Sequence, residues 1–225
     1  MSWDWTRITR GLALACWGGF FAYLWLSGRA TTYIGPKTAW VVTLGALTLP
    51  VVALAYLWGA RGEGRAVSTR EVAANWLLVA PIVLALMVPA PSLGALAVKN
   101  KSAGRNAAPI GAGLAGGTVR LFEIAWAGES ARYAKQVGIK SGDAVDFIGI
   151  VVKSGRDGRM LVARFFVTCC AADATAYTLT VNGAPSMPTD TWVRVQGHLT
   201  GRPGAGLQVA ADNVAKIDEP SDPYN

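Results

Sequence analysis

The first hundred residues alternate between long apolar stretches and short basic segments. A helix that crosses a bilayer needs about 20 apolar residues. Three apolar stretches cover residues 12–28, 39–60 and 74–98. The second meets this length directly and the first is near the lower limit. The third is long enough but rich in proline. We therefore predict three membrane-spanning helices, at about residues 11–28, 39–60 and 74–97.

The third apolar stretch differs from the others because it carries Pro81, Pro89 and Pro91. Proline removes a helical hydrogen bond, although a spanning helix tolerates it where neighbouring groups satisfy the freed carbonyl. We expect a helix up to about Val88, followed by a bent exit through residues 89–94. A re-entrant or interfacial segment is the alternative for this stretch.

The second half of the chain has the shorter period of β-strands. Glycine, proline, asparagine and aspartate turns separate five short segments that alternate apolar and polar residues or are continuously apolar. These candidate strands cover residues 143–154, 160–169, 176–183, 191–199 and 206–217. A tight hairpin is expected between the first two, and Gly149 and Gly197 suit the sharp bends of a closed sheet. The pattern predicts a small Greek-key barrel of OB type.

The fold class is thus a membrane α-helical region followed by a small OB-like β-barrel domain. Residues 105–117 are rich in glycine and alanine and lack a periodic apolar face, which is typical of a flexible tether. We divide the chain into a transmembrane region (1–104), this linker (105–117) and the β domain (118–225). Within the β domain, residues 121–138 predict a short strand or turn and then a helix that begins near Ser130.

Charge is distributed unevenly between the two halves. The chain carries 21 Lys and Arg against 14 Asp and Glu, and charged residues make up 16% of it, below the roughly 25% of soluble domains. The whole basic excess precedes residue 106, where it suits lipid headgroups. The β domain is neutral, which argues against nucleic acid as a partner. Seven of the nine tryptophans also lie in the apolar half, mostly near the ends of the apolar runs, as an aromatic belt would.

The positive-inside rule does not fix the orientation, because five basic residues fall on each side of a three-span arrangement. The loop at residues 61–72 is the densest basic loop, so we expect it and the N-terminus to face the cytoplasm. The protein would then be a multi-pass protein of the cell membrane, with its C-terminal domain outside the cytoplasm.

The segment ARFFVTCCAADA, residues 163–174, holds two of the three cysteines side by side. Three interpretations of Cys169 and Cys170 stay open. They are two small apolar residues that end a strand, a strained vicinal disulfide, or a thiol or soft-metal site. The third cysteine, Cys16, is expected to be a packing residue of the first helix.

A metal site would use Cys169, Cys170 and Asp173, with zinc or copper as the ion, since thiolates prefer soft or borderline metals. His198 is a further candidate ligand. No C-x-x-C pair or histidine cluster completes a set of four ligands, so the sequence does not encode a closed structural zinc site. No set of residues typical of a catalytic site is present either, and we expect no enzymatic activity.

Several stretches resemble one bacterial family, the small subunit of a putative two-component permease, a group of uncharacterised predicted membrane proteins. The most specific stretches are the Cys-Cys-Ala-Ala-Asp string at residues 169–173 and the terminal PSDPYN; the others are SGRATTYIGPKTAW, PAPSLGALA, DFIGIVV and TWVRVQGHLTG. The resemblance implies a membrane region, a C-terminal domain outside the cytoplasm and a larger multi-span permease as partner. This chain lacks the histidine-rich loop of many relatives, which puts a metal-relay role for that loop in doubt.

We therefore expect a non-enzymatic accessory subunit of a membrane permease complex, whose partners are the permease and the lipid bilayer. Handling of a soft metal through Cys169 and Cys170 is its expected chemistry. The alternatives are an envelope interaction module without a transport role and a thiol-redox protein.

Overall fold

The computed structural model describes residues 3–61, 68–87, 92–101 and 119–224. These residues form two compact units, one over Met1–Pro91 and one over Ser92–Asn225. The predicted linker at residues 105–117 lies outside the described residues, as does half of the basic loop at 61–72.

The first unit is helical. Helix α1 covers Trp5–Leu26, α2 covers Trp40–Trp58 and α3 covers Thr69–Met87, and a single 3-10 turn, Arg29–Thr32, follows α1. Asp4 begins α1 by accepting a hydrogen bond from the backbone N–H of Arg7 at 3.1 Å, as expected of an N-cap aspartate. The helices therefore occupy the three apolar stretches, although α3 begins five residues before the predicted third span.

Two of these helices, α2 and α3, are long and apolar enough to cross a membrane, judged by length and composition over the residues that the structure describes. Their mean hydropathies over an 18-residue window are 2.0 and 1.5. Helix α1 has 22 residues but also two arginines and three glycines, which dilute its apolar character. The helix of the third predicted span is bounded at Met87, close to the end predicted near Val88, and residues 95–101 form a separate helix.

Helices α1 and α2 pack closely because glycines face bulky groups across their interface. A side chain at Gly18 would lie 2.8 Å from the ring of Pro50, inside α2, and one at Gly45 would meet the ring of Phe21. Helix α3 also contacts α1, since the indole N–H of Trp17 donates to the carbonyl of Leu78 at 3.1 Å. Small residues that allow close backbone approach are typical of helix packing in lipid.

The second unit contains a closed five-stranded barrel. Its strands are β1 (Ala144–Ser154), β2 (Arg159–Phe166), β3 (Thr175–Asn182), β4 (Trp192–Gly201) and β5 (Leu207–Lys216). The order around the barrel is β1-β2-β3-β5-β4, with β3 and β5 parallel and the other pairs antiparallel. Inward-facing valines of every strand fill the centre, including Val151, Val162, Val181, Val195 and Val209, each with no exposed surface.

All five predicted strands are present within a few residues of their predicted bounds, and Gly158, with φ of 75°, turns the hairpin between the first two. Gly197 lies at a break in the register between β4 and β5, where a side chain would collide with the carbonyl of Ala210. Gly149 faces Val162 and the carbonyl of Ala163 on β2 just as closely. Both glycines thus allow close contacts between strands. The sharp bends predicted at these two positions stay a prediction.

Strand β1 changes partner along its length. It pairs with β4 from Ala144 to Ile150 and with β2 only from Ile150 onward. The first half of β1 therefore forms no hydrogen-bonded pairs with β2. We call the place where β1 and β2 separate the β1 fork.

Residues 121–137 correct one prediction. They form two helices, α5 (Leu121–Glu129) and α6 (Ala131–Val137), rather than a strand or turn before a single helix. Glu123 begins α5 by accepting from the backbone N–H of Arg120 at 2.8 Å, and Ser130 ends α5 and caps α6. The apolar side of α5 packs on the barrel core, so Leu121 and Ile124 are buried. The segment LFEIAW was predicted as a strand or turn because it is almost entirely apolar and shows no helical period. In the structure most of these side chains are buried, which accounts for that composition.

The boundary between the units also differs from the predicted one at residue 104. Helix α4, Ala95–Lys101, belongs to the barrel unit, since Val98 is buried with Phe165, Trp192 and Tyr224 in a second apolar cluster beside the barrel. The backbone N–H of Leu93 donates to the hydroxyl of Tyr224 at 3.3 Å. The beginning and the end of this unit therefore meet in one cluster.

Candidate thiol site

The two adjacent cysteines lie on an exposed turn between β2 and β3. Val167 precedes the turn and Ala174 follows it, and both are buried in the apolar cluster that includes Tyr224. Between them, Thr168, Cys169 and Asp173 are exposed, and Cys170 is half-buried. The turn is thus held at both ends by the core and presents its polar groups to solvent. We call residues 168–173 the thiol turn.

Asp173 organises the thiol turn from within. Its two carboxylate oxygens accept hydrogen bonds from the backbone N–H groups of Thr168, at 3.1 Å, and of Cys169, at 2.8 Å. A short 3-10 segment, Ala171–Asp173, brings the aspartate back to these donors. Burial acts to raise the pKa of Asp173, but the hydrogen bonds from the Cys169 thiol and from the backbone outweigh it and lower the pKa.

The Sγ atoms of the two thiols lie 3.7 Å apart, at the distance of a hydrogen bond between them. The Cys169 thiol also hydrogen-bonds to the carboxylate of Asp173. That bond, followed by the one to Cys170, raises the pKa of Cys169 to about 11. Cys169 is therefore a protonated thiol at neutral pH, since a neighbouring anion disfavours the thiolate.

Helix α4 contributes a cation to the thiol turn. The Lys101 ammonium, in the last turn of α4, donates to the backbone carbonyls of Ala171 and Ala172. These two carbonyls belong to the same 3-10 segment that carries Asp173. The conformation of the thiol turn is therefore tied to α4 as well as to the strands.

The structure brings the three predicted site residues together, but it does not form a metal centre from them. Within the described ranges, no group of three or more His, Cys, Asp or Glu side chains is placed to hold a metal ion. The donor set of two sulfurs and one carboxylate suits a soft or borderline cation. It lacks the fourth ligand of a closed zinc site, so a bound ion would need a donor from solvent or from another molecule.

His198 does not join this group. Its Nδ1 lies 2.8 Å from the carboxylate of Asp212 on β5, and both side chains are more than half exposed. The pair crosses between two neighbouring strands on the outside of the barrel, where it is an ordinary surface interaction. Cys16 is likewise separate, on an exposed face of α1.

Two contributors to the site were missed by the analysis of the sequence. Lys101 was assigned to the end of the membrane region, and nothing in its local sequence marks it as a partner of residues 171–172. Tyr224 was noted only as part of the terminal Pro-x-x-Pro-Tyr string. Its side chain is 1% exposed and its backbone pairs with Phe165, which explains why the terminal segment has a definite place in the fold.

Comparison with known proteins gives a match over the barrel alone. Residues 135–225 are similar to the DUF1980 C-terminal domain, an uncharacterised family. This range contains all five strands and the thiol turn. No curated protein matches the chain. The similarity thus supports residues 135–225 as a recurring domain of uncharacterised function.

Proposed function

We propose that the protein is a non-enzymatic accessory subunit of a multi-span permease in the cell membrane. Three spans, formed by α1, α2 and α3, would anchor it and dock on the permease. The second unit would be an OB-type barrel outside the cytoplasm, a class that the strand order β1-β2-β3-β5-β4 favours. The thiol turn would present Cys169, Cys170 and Asp173 to a soft or borderline cation such as zinc or copper(I).

The observation that carries this proposal is the cluster of two thiols and one carboxylate on a largely exposed turn that is fixed at both ends. A purely structural cysteine is usually buried, whereas the Cys169 side chain is exposed and bonded to an aspartate. The ionised aspartate attracts a cation. The missing fourth ligand is consistent with a site that passes its ion to a partner.

The raised pKa of Cys169 bears on the choice between metal handling and thiol exchange. Thiol exchange requires a thiolate as nucleophile, and at neutral pH only a small fraction of a thiol with a pKa of about 11 is ionised. A metal ion displaces the proton when it binds, so metal affinity should rise with pH. The raised pKa therefore argues against thiol exchange, and it also requires that a bound metal ion displace the Cys169 proton; the preference for metal handling rests on the donor set of two sulfurs and one carboxylate.

The decisive experiment is titration of the purified full chain in detergent with Zn²⁺, and separately with Cu⁺ under anaerobic conditions. We expect one ion per chain for the wild type. The double variant C169S/C170S should lose this binding, and C16S, which removes the exposed cysteine of α1, should keep it. Unchanged stoichiometry in the double variant would refute the metal proposal.

The permease proposal has a separate test. Affinity purification of the full chain from its native membrane should retain a multi-span membrane protein in a stable complex. Isolation as a homo-oligomer alone would instead favour an envelope interaction module. A membrane-impermeant maleimide applied to intact cells that express C16S tests the location of the barrel, since it labels the thiol turn only if the barrel lies outside the cytoplasm.

The role of Asp173 has a kinetic test. D173N removes the negative charge that holds the proton on Cys169, so the pKa of this thiol should fall towards its ordinary value of about 8.5. Two pKa units correspond to about a hundredfold more thiolate at pH 8. Alkylation of Cys169 at pH 8, followed by mass spectrometry in a C16S/C170S background, should accelerate by at least tenfold in D173N. An unchanged rate would contradict the assigned hydrogen bond.

A further inference from the structure

A second group of polar side chains lies at the β1 fork, away from the thiol turn. Here a pocket of about 340 Å³ forms between the first half of β1, strands β2 and β4, and the first residues of α5. Val119, Leu121, Phe147 and Ile148 contribute its apolar wall. The pocket lies beside the part of β1 that is not paired with β2.

The polar side of this pocket is strongly basic. It is lined by three arginines, Arg120, Arg164 and Arg194, and one carboxylate, Asp146, which leaves a net of two positive charges. Arg194 and Asp146 neutralise each other through two hydrogen bonds of 2.8 and 2.7 Å. The other two arginines supply the excess charge.

Arg164 is a half-buried cation that is bonded to neutral groups. It donates to the carbonyl of Asp222 at 3.0 Å and, at 3.4 Å, to the carbonyl of Ile148 on the unladdered edge of β1. Its Nε is buried without a hydrogen-bond partner. Burial lowers the pKa of Arg164; the Asp222 carboxylate opposes this shift and the charge of Arg120 adds to it. The two arginines thus repel each other across the pocket.

Arg120 contacts an aromatic ring rather than a carboxylate. Its guanidinium carbon lies 5.5 Å from the ring centre of Phe122, in a cation–π contact. Such a contact leaves the edge of the guanidinium, with its N–H donors, available to another group. The same residue immediately precedes α5, so the positive end of that nine-residue helix adds to the field at the pocket.

We propose that the pocket at the β1 fork binds the oxyanion group of a small ligand, a carboxylate or a phosphate. An oxyanion between Arg120 and Arg164 would accept charge-assisted hydrogen bonds from guanidinium donors and relieve the repulsion between the two cations. The adjoining apolar wall would contact the carbon part of the ligand. The Arg194–Asp146 pair, with its more exposed arginine, would form the outer rim.

The ligand expected at this site differs in charge from the ligand expected at the thiol turn. The thiol turn offers soft and anionic donors suited to a cation, whereas the β1 fork offers hard cationic donors suited to an anion. Loss of metal binding at the thiol turn would leave the prediction for the β1 fork unchanged.

The test uses the purified full chain in detergent and titrates inorganic phosphate and succinate in separate calorimetric experiments. Ionic strength is held constant with sodium chloride, so that general screening does not imitate binding. We expect saturable binding of at least one of the two anions. The preferred anion identifies the oxyanion as phosphate or carboxylate.

The variant R120Q should weaken this binding by at least tenfold, because it removes one of the two cations that would bind the oxyanion, together with the cation–π contact to Phe122. The matched control is R159Q, which removes an exposed arginine paired with Asp157 at the β1–β2 hairpin, and it should bind as the wild type does. Absence of saturable binding for both anions, or equal affinities of R120Q and wild type, would overturn the proposal. So would an equal loss in R159Q, since this would show a response to total charge alone.

Discussion

The two units of this chain distribute the same kinds of apolar residue in opposite ways. In the barrel unit each strand has at least one valine that points inward and has no exposed surface. In the helical unit large apolar side chains cover the outside. Among the described residues, every exposed large apolar side chain except Leu96 belongs to that unit. A surface of this kind is a liability in water and is what lipid requires.

The units also differ in how their elements are held together. The barrel relies on hydrogen-bonded ladders and on burial of aliphatic groups, which water drives. Helices α1 and α2 instead meet through glycines placed against Pro50 and Phe21, a close contact that is typical of helices in lipid. The difference supports the proposal that the two units occupy different solvents. Four variants test this comparison.

The largest expected effect is in the barrel unit. Phe165 is 2% exposed and lies in the cluster that unites Val98, Trp192 and Tyr224. F165A should cost about 3–5 kcal/mol of unfolding free energy, the usual range for removal of a buried aromatic side chain. Hydrogen exchange of the β2 and β3 amides in the full chain measures this loss. Unchanged protection of those strands would show that the cluster does not stabilise the barrel.

The second effect depends on the solvent around α2. Leu54 is 65% exposed, so an arginine there would cost almost nothing if α2 lay in water. If α2 lies in lipid, L54R should cost about 3 kcal/mol of insertion free energy. The measurement is the fraction of chain that resists carbonate extraction from membranes. The control is Q208R, on the exposed outside of β5, which should extract as the wild type does. Equal extraction of L54R and wild type would argue against a spanning α2.

The third effect tests the glycine contact between α1 and α2. A methyl group at Gly18 would lie 2.8 Å from the Pro50 ring, whereas one at Gly19 would meet nothing within 4 Å. G18A should therefore destabilise the helical unit by about 1–3 kcal/mol, as overpacking does. G19A should be neutral or slightly stabilising, because alanine favours a helix. Thermal unfolding in detergent, followed by circular dichroism, compares the two. Identical melting of both variants would show that the helices do not pack at this point.

The smallest effect concerns α4. Asp190 accepts a hydrogen bond from the backbone N–H of Ala95 at 2.6 Å, at the beginning of this helix, and has a φ of +63°. D190G keeps that backbone conformation accessible and removes the acceptor, so it should cost about 1 kcal/mol. D190N, which tolerates the same φ and retains an acceptor oxygen, should lose less. Hydrogen exchange of the α4 amides distinguishes the two. Greater loss in D190N than in D190G would contradict the capping role.

Much of the architecture could be predicted from the sequence because the spacing of apolar residues and the positions of turn residues mark its helices and strands. Alternating residues and tight turns located all five strands, and apolar run length located the three helices of the first unit. The segment at residues 121–129 was misassigned because burial on nearly every side hides the helical period. Similarly, α4 was merged with the third span because apolar content does not reveal that Asp190 and Tyr224 hold this segment to the barrel.

The candidate site divides in the same way. Cys169, Cys170 and Asp173 are neighbours in the chain, so their proximity was predictable. Lys101 and Ala171, by contrast, are 70 residues apart in the chain and meet only in the folded protein. The arginines of the β1 fork are likewise brought together only by the fold. Contacts of this range depend on strand order and register, which local patterns do not specify.

The place of Tyr224 in the core has a consequence for synthesis. Because this side chain completes the cluster around Phe165, the barrel unit lacks a full core until the chain up to Tyr224 has left the ribosome. The apolar helices of the first unit emerge long before that point. If the first unit spans the membrane as proposed, it would enter the bilayer while the barrel strands are still unfolded.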